Sequence, residues 1–496
     1  MTTKQELPTA DSGAATVARM VIGGEQVEAA DGQTFDIVNP ATGKVIATAP
    51  LGGREDVDRA VAAAQKAFDD RKGWANWAAG KRGRTLSKFA SLVKQNSEEL
   101  AQLETANVGK PITSSRGEVI GASLVFEYYA GAANKIFGQT IPVSKPGIDL
   151  TLREPIGVVG LIVPWNFPIL MASWKVGPAL AAGNACILKP ASYSPLTAIR
   201  LGELALEAGI PAGILNVVTG PGGTAGASIA AHPGVGKVAF TGETTTGQEI
   251  MRLASGNVKK ISLELGGKSP NIVFADADIE KFAKESPYSV FDNCGQDCCA
   301  RSRILVERSA HDRVVELFAE ATRKVRVGNP VEDATEVGTL VSTKQRDRVK
   351  DYIEIGLAEG ASIVVGGTAP DDPDLAGGAY LMPTIFDGVS NDMRIAKEEI
   401  FGPVVSIIPF DSEEEALRLA NATAYGLSGS VWSRDIGKAL RTAKGLQAGV
   451  ISVNSNSSVH TEAPFGGYKM SGIGRELGMS ALDLYTETKN IFVDLG

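Results

Sequence analysis

The chain has 496 residues, 44% of them hydrophobic and 21% charged, with a net charge of −8 at pH 7. That length exceeds one compact core and predicts two or three domains. The acidic balance excludes the electrostatic footprint of a nucleic-acid or anionic-membrane binder, and the longest apolar runs, "GVVGLIV" and "GPALAAGNACIL", are too short or too broken to span a bilayer.

The opening stretch "MTTKQELPTADSGAATVARM" has no apolar core and carries Glu6 and Asp11, so neither a secretory signal nor a transit peptide is expected. Residues 1–18 read as a flexible tail. Residues 52–133 read as mostly helical. From about residue 156, the runs "VVGLIVP", "ACILKP", "GILNVV", "KVAFTG" and "KISLEL" read as buried strands. The helical patterns between them complete the βαβ rhythm of a parallel, doubly wound sheet. A second series follows Pro270: "NIVFAD", "RILVE", "SIVVGG", "VVSIIPF", "SGSVWS" and "GVISVN". The fold class is therefore α/β, with two doubly wound units in tandem. "GQTIPVSKPGIDLTLREP" and the tail "TKNIFVDLG" read as strands without flanking helices. Exposed strand edges are liabilities in a monomer, so both are expected to be oligomer contacts.

Three of the four cysteines crowd into "FDNCGQDCCARSR" (291–303). The spacing Cys294-x3-Cys298-Cys299, with only three histidines in the chain, supplies too few ligands for a structural metal site. Four cysteines in so long a chain predict no disulfide framework and a reducing, cytoplasmic compartment. Cys186, inside "ACILKP", reads as a buried apolar residue. For Cys298 that reading competes with a nucleophile. His232, His311 and His460 stand in no context that suggests a Cys–His couple. Glu264 ends an apolar strand in "LELGGKSPN", either as a solvated strand end or as a desolvated base with raised pKa. Two glycine-rich turns follow strands. In "VVTGPGGTAG", Gly220, Gly222 and Ala225 match a dinucleotide pattern, with Glu243 23 residues after Gly220. "FTGETTTG" offers a second helix N-terminus for a pyrophosphate. Either can equally be a tight turn.

Together these segments resemble the aldehyde dehydrogenase superfamily from about residue 20 to the C-terminus. "PWNFP" (164–168), "FTGETTTG", "LELGGKSPN", "NCGQDCC", "EEIFGPV" (398–404), "PFGGYKMSG" (464–472) and "GRELG" (474–478) occur in the family's order, and the Glu–Cys interval is 298 − 264 = 34 residues. The resemblance implies a Rossmann-like cofactor domain (19–133 and 152–263) and a catalytic domain (264–450). It also implies a return segment lining the active site (451–478) and a small β oligomerisation arm (134–151 and 479–496), assembled as dimers or tetramers. Its G-Q-x-C pattern marks Cys298 as the nucleophile that adds to a small-molecule aldehyde. The Asn166 amide would hold the oxyanion, and Glu264 would activate water to hydrolyse the thioester. A CoA-acylating relative often lacks that glutamate, so hydrolysis is expected. NAD, NADP or both would be the cofactor. Glu399 would bind the nicotinamide ribose and Lys189 the adenosine ribose, with Trp165, Ser192, Gly222, Gly242, Glu243 and Phe401 around it.

Two departures stand out. The family's "FTGS" is "FTGE" here, and an acid beside a diphosphate is unfavourable unless Glu243 turns away to cap the helix. Ser192 replaces a glutamate that many NAD-specific relatives carry, so NADP is expected to be accepted. The implied substrate tunnel holds Leu170, Met171, Trp174, Asp292, Asp297, Asn456 and Phe465. Trp174 and Asp292 replace arginines of semialdehyde-oxidising relatives, and an unpaired buried substrate carboxylate costs several kcal/mol. Asn456 falls where betaine-aldehyde relatives tend to carry tryptophan. Neutral aliphatic or aromatic aldehydes are expected first and ω-aminoaldehydes second. Succinate semialdehyde is expected to be a poor substrate.

Overall fold

The computed structural model describes residues 16–496. Most of the expected N-terminal tail lies outside the described residues. Thr16–Val17 already pairs parallel with the strand Val45–Pro50, so the tail boundary at 18 falls too late.

The first large sheet has five parallel strands at its centre, in the spatial order Lys260–Glu264, Lys237–Thr241, Val158–Ile162, Ala185–Lys189, Leu215–Val217. Their near-continuous apolar sequences follow from helices covering both faces. Antiparallel strands close the two edges: Met20–Ile22 beside Leu215–Val217, and Gly472–Ile473 beside Lys260–Glu264. The edge strand Gly472–Ile473 ties the return segment to the strand that ends in Glu264. Strand order reverses at Val158–Ile162, because the chain builds outward on one side and then on the other. A crevice opens at such a switch point, beyond the carboxyl ends of the strands.

The second sheet runs Ser362–Val365, Thr384–Asp387, Val404–Phe410, Arg303–Glu307, Pro270–Val273, Ser428–Trp432, Val450–Val453. All pairs are parallel except Ser362–Val365, which lies antiparallel against Thr384–Asp387. Two expectations are corrected here: "SIVVGG" is an antiparallel edge strand, and "TIFD" is a strand that the sequence reading omitted. Buried apolar residues form two clusters. One spans Ile272 to Leu446; the other gathers Ala18 to Leu265 with Leu477–Tyr485 of the C-terminal segment.

The two segments expected to be lone edges pair with each other. Gly147–Pro155 and Thr486–Asp494 run antiparallel over their full length of 9 residues each. With Thr140–Ile141 they make a three-stranded ribbon that leaves Ile148, Leu152, Phe492 and Val493 exposed.

Candidate active site at the sheet switch point

The loops that leave Val158–Ile162 and Lys237–Thr241 flank the switch point, carrying Trp165–Asn166 and Gly242–Glu243 respectively. With the second unit they enclose a cavity of about 330 Å³, lined also by Met171, Glu264, Cys298, Gln345, Arg348, Glu399 and Phe401.

Cys298 reaches this cavity through an unusual turn. After the helix Ile279–Phe291, Asn293, Cys294 and Gly295 take φ of 49°, 57° and 70° in succession. Left-handed backbone costs a non-glycine residue about 1–3 kcal/mol, so the surroundings must enforce it. At Gly295 a Cβ would meet the Gly402 carbonyl oxygen at 2.2 Å. Gln296 is buried and pins the turn. Its amide oxygen accepts from the Val341 N–H at 2.8 Å, and its Nε2 donates to the Asn293 carbonyl at 2.8 Å. The outcome is that Cys298 is partly accessible while Cys186, Cys294 and Cys299 are buried. Burial alone pushes the Cys186 and Cys294 thiols far up. The Cys298 thiol is also held above its usual range, by the hydrogen-bonded Cys299, by burial and by the charges of Asp297 and Glu399. The donor atoms of Asp297, Cys298 and Cys299 lie within 4.8 Å of one another, one short of the four ligands of a structural zinc site.

Asn166 is buried beside the same turn. Its Nδ2 donates to the Gln296 carbonyl at 3.0 Å, while its own carbonyl accepts from Lys110 Nζ at 2.8 Å and Asn293 Nδ2 at 2.7 Å. An amide carries two protons, so at the cavity wall one remains to be donated to a further acceptor. Glu264 is 4% exposed, and its Oε2 has no partner. Burial first, then the nearby Glu476, pushes its carboxyl well up, against the pull of Lys175 and Arg475. Glu264 is therefore a desolvated carboxyl rather than a solvated strand end. A buried Lys175–Glu476 ion pair stands behind it.

Beside the glycines that follow Glu264, Glu399 accepts from the Gly267 N–H at 3.0 Å, and a Cβ on Gly266 would lie 2.1 Å from its Oε2. Only glycine admits that approach. Burial pushes the Glu399 carboxyl up to about 7. Phe401, at φ 57°, packs edge-on against Trp165 with ring centroids 5.3 Å apart. The switch-point crevice, the glycine approach and the open helix N-terminus after Gly242 fit an extended dinucleotide.

Residues 27–491 match the model of the family described as "Aldehyde dehydrogenase family". The chain belongs to the aldehyde dehydrogenase family. It is 46% identical to a betaine aldehyde dehydrogenase of Bacillus subtilis over 95% of this chain and 96% of that protein. It is 44% identical to an aldehyde dehydrogenase of Emericella nidulans over 96% and 95%. Among solved structures, indole-3-acetaldehyde dehydrogenase of P. syringae in complex with NAD+ superposes with a TM-score of 0.94 at 46% identity, covering 96% of this chain and 97% of that one. Betaine aldehyde dehydrogenase of Staphylococcus aureus with NAD+ gives a TM-score of 0.94 at 42% identity, with coverage of 96% and 97%. The family's members oxidise aldehydes with NAD or NADP, so the sequence expectation of such an enzyme holds.

Several expected positions of this aldehyde dehydrogenase need adjustment. Glu243 is the N-cap of the helix Thr244–Ala254 but makes no side-chain cap bond; its Oε1 faces Arg348 Nη2 at 3.9 Å instead. Lys189, Ser192 and Gly222 do not line the central cavity and gather at the neighbouring strand ends. Lys189 is buried, its ammonium lowered to about 8 by desolvation. Ser192 Oγ donates to the Gly220 carbonyl at 3.1 Å. Gly220 is a tight turn: its φ is 121°, and a Cβ there would lie 2.2 Å from the Gly52 oxygen. Gly222 opens the short helical segment Gly222–Gly226.

Of the expected tunnel residues, Met171 lines the cavity. Leu170 stands on the same helix, 3.3 Å from the Cβ position of Gly121. Trp174 packs T-shaped on Phe465 at 5.0 Å. Asp292 is solvent-accessible yet enclosed, its carboxyl pushed up by burial and held down by Lys110, and its Oδ1 accepts from the Asn293 N–H at 2.9 Å. Asp297 accepts from the Cys299 N–H at 2.9 Å. Asn456, which like Trp174 and Phe465 does not line this cavity, donates from Nδ2 to Ser286 Oγ at 3.4 Å and accepts at Oδ1 from Asn271 Nδ2 at 3.5 Å. The sequence reading missed Tyr193, Lys344, Gln345 and Arg348, all of which line the cavity. Gln345 carried no signal, although its Nε2 fixes Phe401 by donating to that carbonyl at 2.9 Å.

Proposed function

We propose that the chain oxidises aldehydes to carboxylic acids through a Cys298 thioester. One observation carries this reading: the accessible cysteine, the buried Asn166 amide and the desolvated Glu264 converge at one cavity. The Cys298 sulfur adds to the aldehyde carbon, and the Asn166 amide with the Cys298 N–H stabilises the oxyanion. When bound, NAD or NADP accepts the hydride that leaves this carbon. Glu264 then takes a proton from water, whose oxygen attacks the thioester and releases the acid. Trp165, Phe401 and Glu399 would hold the nicotinamide end, and Lys189 and Ser192 would hold the adenosine ribose.

The substrate reading is neutral aliphatic or aromatic aldehydes, supported by Met171 on the cavity wall and by the apolar Leu170 and Trp174 on the same helix, Trp174 packing on Phe465. A second reading, ω-aminoaldehydes or betaine aldehyde, draws on the enclosed carboxyl of Asp292 and on the named activity of the B. subtilis relative. The test is kcat/KM with NAD and NADP over hexanal, benzaldehyde, 4-aminobutyraldehyde, betaine aldehyde and succinate semialdehyde. A tenfold preference for succinate semialdehyde would overturn the substrate reading. No reduction of either cofactor with any aldehyde would overturn the reaction. The remaining assignments belong to the same reading: the division into cofactor domain, catalytic domain and arm, assembly as a dimer or tetramer, and a cytoplasmic location. Among the described residues no helix is long and apolar enough to cross a membrane.

A further inference from the structure

Arg301 follows the nucleophile by three residues and is 2% exposed. Each nitrogen of its guanidinium is hydrogen-bonded. Nε donates to Ser430 Oγ at 2.8 Å, Nη1 to the Cys299 carbonyl and Ser428 Oγ, and Nη2 to Ser458 Oγ at 2.9 Å. Three elements thus meet on one side chain: the turn carrying Cys298, the strand Ser428–Trp432, and the loop beyond Val450–Val453. Every bonded partner is a hydroxyl or a carbonyl. A buried cation with no bonded carboxylate requires a counter-charge from its surroundings. Burial lowers the Arg301 guanidinium, and the groups that hold it up all lie on the nucleophile turn: Cys299, Asp297 and Cys298, the two sulfurs only when ionised. The other charges around Cys298 are the carboxylates Glu399 and Glu264, which oppose a thiolate, and Lys344 with the Arg348–Glu243 pair farther along the wall. Two buried cations lie on the segment 291–303; Arg303 directs its fork to the Lys268, Leu419 and Ala420 carbonyls and Asn391, so Arg301 is the one bonded to the nucleophile turn.

We propose that Arg301 is a positioning residue for Cys298: it fixes the nucleophile turn to the strand Ser428–Trp432 and to the Ser458 loop, and its charge favours the thiolate. The inference rests on Cys298 being the nucleophile. Two roles are separable. The fork, matched to four acceptors, sets where the sulfur sits; the charge sets how readily it ionises.

The experiment is iodoacetamide alkylation of the full-length, cofactor-free enzyme as a function of pH, with the modified residue located by mass spectrometry. Arg301→Met should raise the alkylation midpoint by about one pH unit, a tenfold loss of thiolate at fixed pH. Arg301→Lys keeps the charge and should restore the midpoint while raising KM for aldehyde. Ser458→Ala removes an anchor but no charge, and should raise KM with the midpoint unmoved. An unchanged midpoint in Arg301→Met, or one in Arg301→Lys displaced as far as in Arg301→Met, overturns the proposal. If Arg301→Met does not fold, the Arg301→Lys midpoint decides alone, and a one-unit rise there is fatal. Failure to find the label on Cys298 in the unaltered enzyme sinks the nucleophile reading itself, whereas a label on Cys298 with an unshifted midpoint sinks only the role of Arg301.

Discussion

Cys298 differs from Cys294 and Cys299 less in chemistry than in where the backbone points it. Cys298→Ala should lower kcat by more than about 10³-fold, the scale on which a lost covalent nucleophile is felt. Cys294→Ala and Cys299→Ala should retain most activity, and a Cys299→Ala enzyme as inactive as Cys298→Ala would reassign the nucleophile. Glu264→Gln separates the half-reactions. Rapid mixing should show a stoichiometric burst of reduced cofactor followed by slow turnover, because water loses its base. Since burial raises the Glu264 carboxyl, its basic form is lost as pH falls, and thioester hydrolysis should slow toward acid. That limb should be absent in Glu264→Gln. Lys189 works with the opposite sign. Its ammonium is lowered to about 8, so the cation is present below that pH and lost above it. If Lys189 pairs the 2′-phosphate, Kd for NADP should rise between pH 7 and pH 9 while Kd for NAD changes less. Ser192→Glu should shift the preference toward NAD; equal loss of both cofactors would count against the assignment.

The elements that build the site differ in how far they could be read from sequence. The parallel strands were legible because burial on both faces writes a continuous apolar run between helical patterns. "TIFD" was not: four residues between Pro383 and Gly388 carry too little pattern to be separated from the loop around them. The Cys298 turn was legible as chemistry but not as conformation, since nothing in "DNCGQ" announces left-handed backbone at Asn293 and Cys294. Lys175 reads as an ordinary helix lysine, and its buried partner Glu476 lies 301 residues away. Asn456 illustrates the converse. Its position in the chain placed it in the tunnel, but two polar neighbours draw its amide elsewhere. Gly295→Ala tests the turn. Its φ is 70°, and a Cβ would lie 2.2 Å from the Gly402 oxygen, so the turn must move. The expected outcome is a loss of about 1–3 kcal/mol in stability and at least a tenfold drop in kcat, measured by denaturant melting and steady-state kinetics. Wild-type values of both would mean that the turn tolerates the methyl group.

At the scale of the whole molecule, the ribbon of Gly147–Pro155 and Thr486–Asp494 is held by pairing across more than 300 residues of chain, with Lys489 on Glu154 and Arg153 on Thr488. Deleting residues 486–496 strands the partner and leaves an open edge. If the ribbon holds the proposed dimer or tetramer together, sedimentation should then show its loss, with aggregation on concentration. An unchanged sedimentation coefficient would dissociate the ribbon from assembly.

The edge strand Gly472–Ile473, seated beside the strand that ends in Glu264, also has a meaning in time. A ribosome delivers the chain from its N-terminus, and domains generally fold in that order. The strand bearing Glu264 can be made and folded long before residue 472 emerges, yet its outer edge stays uncovered until Gly472–Ile473 is made, and Lys175 stays without Glu476 until that residue follows. Non-local closure of this kind is slow. A chain interrupted between Cys298 and Gly472 would therefore carry Cys298 and Glu264 without the strand and ion pair that complete their setting.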